Sequence, residues 1–71
     1  MNASILRQLW ILVEQIQATT LLKLSDTELV TRLLKQLRPG HPFSREEEMF
    51  WGQYISSKTL LIRDLAETRL T

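Results

Sequence analysis

The sequence predicts an all-α fold, a small three-helix bundle with a long C-terminal helix. Three observations lead to this prediction. Apolar residues recur at spacings of three and four. Two segments match the Ser-x-x-Glu pattern that begins helices, and a Pro-Gly loop separates the second of them from the preceding helix. A chain of 71 residues is long enough for one domain, so residues 1–71 are predicted to form a single helical domain.

The first predicted helix covers residues 4–18. Its apolar side chains, together with Trp10, fill an arc of roughly 160° at 100° per residue, which is wider than one partner helix covers. Ile11 lies on the opposite side, where a lone exposed apolar residue needs no explanation. The β-branched pair Thr19 and Thr20 weakens helix propensity. The chain is therefore expected to turn between residues 18 and 24.

Two capping boxes predict where the next helices begin. Ser25 with Glu28 begins a helix over residues 26–37, and Ser44 with Glu47 begins another at residue 45. Between them, the segment 38–43 contains two prolines and a glycine, which cannot continue a helix. This segment is predicted to be the one long loop of the domain.

The last predicted helix runs from residue 45 to residue 70. Residues 56–59 have poor helix propensity. The helical phase of the apolar residues nevertheless favours an unbroken helix. One face of such a helix would carry the apolar residues on both sides of that segment: Phe50, Trp51, Tyr54, Ile55, Leu61, Ile62 and Leu65. One continuous helix is the preferred prediction, and a kink at 56–59, giving a four-helix bundle, is the alternative.

No catalytic, cofactor-binding or metal-binding residue is predicted. His41 is the only histidine, and one imidazole with nearby carboxylates makes a poor zinc site. It is expected to be a solvated loop residue. Glu46, Glu47 and Glu48 are consecutive, so their side chains diverge by 100° and cannot converge on one ion. They are expected to stabilise the start of the helix by their position at the positive end of its dipole.

One basic cluster, Arg32, Lys35, Arg38 and Arg45, has a plausible common surface. Cations near a helix C-terminus complement its dipole, and Glu28 can pair with Arg32 at i,i+4, so solvation and helix electrostatics are the preferred explanation. Phosphate binding is the alternative. A helix-turn-helix is not expected, because the loop is too long and the following helix begins with three glutamates.

Composition favours a cytoplasmic protein that self-associates. Nine Lys and Arg residues against eight Asp and Glu leave almost no net charge, so neither nucleic acid nor a membrane surface is an expected partner. The chain has no cysteine and hence no disulfide to stabilise a small core. A homodimer is therefore expected to complete the bundle. The predicted interface consists of Trp10, Trp51, Leu61, Ile62 and Leu65.

The segments Tyr54-Ile55-Ser56-Ser57 and Leu61-Ile62-Arg63-Asp64-Leu65-Ala66 resemble small helical proteins of cyanobacteria. The likeness extends over about the last two thirds of the chain. It contains no chemical motif, and it implies a cytoplasmic protein without an assigned activity.

The function expected from these observations is a non-catalytic module for protein–protein interaction or regulation. The apolar faces of the three predicted helices exceed what these helices can cover among themselves, and no polar residues converge. The partner is expected to be a second copy of the chain, a larger protein, or both. The alternative function is a small dimeric nucleic-acid-binding regulator that uses Arg32, Lys35, Arg38 and Arg45. No enzyme activity, small-molecule substrate or cofactor is expected.

Overall fold

Five α-helices and their connections make up residues 3–70, the part of the chain that the computed structural model describes. Residues 1, 2 and 71 of the predicted domain lie outside the described part. The helices are α1 (Ala3–Gln15), α2 (Ala18–Lys23), α3 (Asp26–Leu37), α4 (Arg45–Ser57) and α5 (Thr59–Leu70). Within residues 3–70 there is no strand. The prediction of an all-α fold is confirmed, whereas the number of helices is larger than predicted.

Both predicted capping boxes are present. At the start of α3, the Glu28 backbone N–H donates to the Ser25 hydroxyl at 3.2 Å, and the Ser25 backbone N–H donates to the Glu28 carboxylate at 3.0 Å. Ser44 and Glu47 form the same pair at the start of α4, at 3.2 and 3.1 Å. These bonds satisfy amides that have no partner inside the helix. The predicted starts of both helices are confirmed.

The predicted helix 4–18 is too long, and a separate short helix follows it. The chain leaves α1 after Gln15, and Gln17 adopts an extended backbone with φ −59° and ψ 138°. Helix α2 contains Thr19 and Thr20 despite their weak propensity. It is held by burial instead, because Leu21 is fully buried and α2 packs against α5. Tertiary packing overrides local propensity here.

The single long helix 45–70 is wrong, and the kinked alternative describes the chain better. Helix α4 ends at Ser57, and Lys58 leaves helical geometry with φ −112° and ψ 6°. The Ser57 hydroxyl donates to the Tyr54 carbonyl at 2.6 Å, and the Thr59 hydroxyl donates to the Ser56 carbonyl at 3.3 Å. Such side chains compete for backbone groups and favour a break. The buried residues nevertheless keep a helical phase across it: Trp51, Ile55, Thr59, Ile62 and Ala66.

One apolar core lies between the helices. Helix α1 packs on α3, α3 on α4, and α2 on α5. Nearly all of the large side chains that fill this core are aliphatic, as is typical of helical bundles. The buried apolar residues are Ile5, Leu9, Val13, Ile16, Leu21, Leu29, Leu33, Leu34, Leu37, Trp51, Ile55, Ile62 and Ala66.

Two arginines of α5 bind the ends of earlier helices. The Arg63 guanidinium donates to the Leu24 carbonyl at 3.0 Å and pairs with Asp26. The Arg69 guanidinium donates to the carbonyls of Glu14 at 2.9 Å and Val13 at 3.5 Å. Carbonyls in the last turn of a helix lack partners inside it and carry partial negative charge, so they attract cations. These hydrogen bonds connect α5 to the C-terminal ends of α1 and α2.

Gly52 lies in the middle of α4, where the structure leaves room for a side chain. A Cβ atom added there would lie 3.6 Å from Leu34 Cδ1 and 3.9 Å from Val30 Cγ1, both ordinary van der Waals distances. Its φ is not positive. Gly52→Ala is therefore expected to stabilise the fold by about 0.5–1 kcal/mol, because glycine loses more backbone entropy in a helix. Urea denaturation checks this, and a loss of stability would contradict it.

Candidate functional site

Helix α5 leaves large apolar side chains exposed, although its buried face carries only one large apolar residue. Thr59 and Ala66 face the core beside Ile62, whereas Leu61 and Leu65 keep 45% and 44% of their surface exposed. The two leucines are four residues apart and lie one above the other on one face of the helix. A stripe of this kind is a common mark of an interaction surface.

A cleft lies between α1 and the part of α5 that includes Leu65. It has a volume of about 410 Å³. Its lining residues are Trp10, Val13, Glu14, Leu65, Thr68 and Arg69. Trp10 is half-buried, so its ring contributes apolar surface beside Leu65. We use the name α1–α5 surface for Trp10, Leu61 and Leu65.

The structure divides the five predicted interface residues into two groups. Leu61 and Leu65 are exposed, and Trp10 is partly buried against the core. Trp51 and Ile62 are 3% and 0% exposed, so they pack inside the chain and are removed from the predicted interface. The reason is the orientation of the two C-terminal helices, whose inward faces are centred on these two residues.

Trp51 belongs to a row of aromatic rings along α4. Its ring meets Phe50 edge-on at a centroid distance of 5.2 Å, and it meets Tyr54 at 5.5 Å. The Lys58 ammonium lies 5.7 Å from the centre of the Tyr54 ring. Edge-to-face pairs add to the stability that burial alone provides. The row therefore supports the core, and the half-exposed Phe50 extends from it to the surface.

A second and larger depression, of about 860 Å³, runs along α3. We call it the α3 groove. Leu12, Leu24 and Pro39 give it apolar patches, and the first two are partly buried against the core. This groove is not predicted from the sequence. The excess width of the apolar arc on the first helix was the available signal, because Leu12 lies at the edge of that arc. The residues that α3 contributes are Thr27, Glu28, Thr31, Arg32, Lys35 and Gln36.

Only two of the four residues of the predicted basic patch line the α3 groove. Arg32 and Lys35 line the α3 groove, and within residues 3–70 neither has a carboxylate within 4.0 Å. Arg38 instead pairs with Glu48 across the loop between α3 and α4. Arg45 is exposed on the first turn of α4, outside the groove. Of the four cations, those of Arg32 and Lys35 therefore lie in one groove.

Glu28 adds a negative charge to the same groove. The backbone N–H and hydroxyl of Ser25 stabilise its carboxylate, and they lower its pKa below the usual 4.5. Glu28 is thus ionised at neutral pH. Its carboxylate bonds to the cap rather than to Arg32, so the pair expected between them is not formed in the described structure.

His41 and the glutamates of the first turn of α4 contact other groups of the fold. The His41 backbone N–H donates to the Leu37 carbonyl at 3.0 Å and ends α3. Its side chain is half-exposed at a small cavity of about 300 Å³. Glu47 caps α4, and Glu48 pairs with Arg38. In the described range 3–70, no three His, Asp or Glu side chains are grouped closely enough to hold a metal ion.

Comparison with known protein families, curated proteins and solved structures finds no match to this chain. The resemblance to cyanobacterial helical proteins stays a prediction. Of the helices in residues 3–70, none has the length and apolar character needed to cross a bilayer.

Proposed function

We propose that this chain is a non-catalytic protein-interaction module that self-associates through the α1–α5 surface. The observation that supports this most directly is that α5 leaves Leu61 and Leu65 about half exposed, although its buried face includes the small residues Thr59 and Ala66 beside Ile62. Leaving apolar surface in water costs about 25 cal/mol per Å², so a second copy that covers the stripe is favoured. The cysteine-free composition supports the expected cytoplasmic location.

The dimensions of the molecule are compatible with a side-by-side dimer. The principal extents are 38 × 20 × 18 Å, so the domain is elongated. Its accessible surface is 4886 Å², and a monomer of its mass is expected to expose roughly 4,600 Å². A stable dimer buries about 800 Å² per partner, which corresponds to most of one broad side. Pairing across a two-fold axis would bring the leucines of both copies together.

The proposal predicts a dimer at micromolar concentration that Leu61→Glu converts to monomer. A carboxylate at this position would be buried without a partner in the dimer but remains solvated in the monomer. Sedimentation equilibrium measures the mass. The melting temperature of the original chain should rise with concentration, because association stabilises only the folded state.

Leu60→Glu is the matched control. Leu60 is the neighbouring residue, is 72% exposed and points about 100° away from Leu61. The control should remain dimeric with an unchanged dissociation constant. A species of 8.3 kDa at every concentration, with a melting temperature that dilution does not change, would contradict the proposal. Equal effects of the two substitutions would contradict the placement of the interface.

A further inference from the structure

We infer that the α3 groove binds an acidic amphipathic helix of a partner protein. This site is separate from the α1–α5 surface, and it does not depend on self-association. The inference rests on the combination of apolar patches with two cations that have no carboxylate partner in the described structure.

The groove has the length of a short helix. Its residues along α3 extend from Thr27 to Gln36, which spans about 14 Å at 1.5 Å per residue. Leu12 and Leu24 bring apolar surface from outside α3 and are only partly buried. A helix that lies along the groove could place leucines against this surface. Grooves that take one face of a helix are a common mode of peptide recognition.

The charged residues of the α3 groove determine which polar residues a partner helix needs. Arg32 and Lys35 are three residues apart on α3, so their cations lie on one side of the helix. Asp or Glu residues at a spacing of three or four on the partner would match them. Glu28 lies one turn before Arg32 and is ionised. A ligand with acidic residues along its whole length would be repelled there, so the acidic residues should be confined to the end near Lys35.

Nucleic acid fits this groove less well. A phosphate backbone is recognised by several cations along its path. Here only Arg32 and Lys35 are available in the groove, whereas Arg38 is paired with Glu48. The apolar contribution of Leu12 and Leu24 also has no role in phosphate binding. The apolar patches together with mixed charge favour a peptide helix.

The inference can be tested by displaying a library of helical peptides to the full chain. The probes carry leucine at helical spacing and random charged or polar residues beside the leucines. We expect selection of peptides with paired Asp or Glu toward one end. The double variant Arg32→Glu, Lys35→Glu should weaken binding of these peptides by about tenfold or more. It should also select peptides that carry Lys or Arg instead.

A second double variant, Arg7→Glu with Arg45→Glu, is the matched control. It changes the net charge equally, but both positions are exposed and lie outside the groove. Its peptide affinity should equal that of the original chain. Circular dichroism and melting should show that both double variants are folded. Repeating the measurement with Leu61→Glu separates this inference from the proposed dimer, since the groove should bind peptide in the monomer too.

Three results would overturn the inference. The first is a library that yields no peptide binding above background. The selected peptides could bind the groove variant and the control variant equally. A DNA duplex could bind the original chain but not the double variant Arg32→Glu, Lys35→Glu, while no peptide binds. This result would favour phosphate as the ligand.

Discussion

Ile62→Ala is expected to lower the free energy of unfolding by about 2–5 kcal/mol. Ile62 is fully buried on the inward face of α5. The substitution removes apolar contacts and leaves a cavity that the surrounding helices fill only in part. A domain of this size has a total stability of about 4–11 kcal/mol, so the variant should lose a large fraction of it. Urea denaturation followed by circular dichroism measures the change.

Leu61→Ala, one residue earlier, is the control. Leu61 is 45% exposed, and we expect a loss below about 1 kcal/mol in the monomer. The two variants should also differ in their dependence on protein concentration. Dilution should remove the contribution of Leu61 to the dimer, whereas the loss at Ile62 should persist. A larger loss at Leu61 than at Ile62 in dilute protein would show that the assignment of inward and outward faces is wrong.

The parts of the fold that depend on a few adjacent residues could be predicted from the sequence. Ser25 with Glu28 and Ser44 with Glu47 determine helix starts through contacts three residues apart, and the structure contains both capping boxes. The loop at 38–43 follows from the chemistry of proline and glycine in the same local way. Such features need no knowledge of the rest of the chain.

The short helix α2 could not be predicted in this way. Its segment contains Thr19 and Thr20, which local propensity disfavours. The residue that holds it is Leu21, whose burial depends on α5, almost forty residues later in the chain. Only the assembled bundle supplies that contact.

The dependence on contacts between distant parts of the chain also explains why only part of the site could be predicted. Helical phase in the sequence predicts that Leu61 and Leu65 share a face with Ile62. The buried face of α5 carries Ile62 together with Thr59 and Ala66, whose small side chains permit close packing with α2, and not the two leucines. The stripe of leucines is thus at the surface, where the proposed dimer would use it. The α3 groove was missed because it joins residues of α1, α3 and two connecting segments.

Trp51→Ala is expected to lower the free energy of unfolding by about 3–5 kcal/mol. Trp51 is 3% exposed, and its ring meets Phe50 and Tyr54 edge-on. Removing it creates the largest cavity that one substitution can produce in this core and also removes both ring contacts. For a domain of this length each kcal/mol corresponds to about 4–8 °C, so the melting temperature should fall by more than about 12 °C.

Phe50→Ala is the matched test, because it removes a neighbouring ring from the same row. Phe50 is 48% exposed, so its loss should cost about 1 kcal/mol, most of it through the contact with Trp51. The double variant should then cost less than the sum of the two single variants, since both lose the same ring pair. Calorimetric melting of the three variants checks this. If Trp51→Ala melts within a few degrees of the original chain, Trp51 does not hold the core.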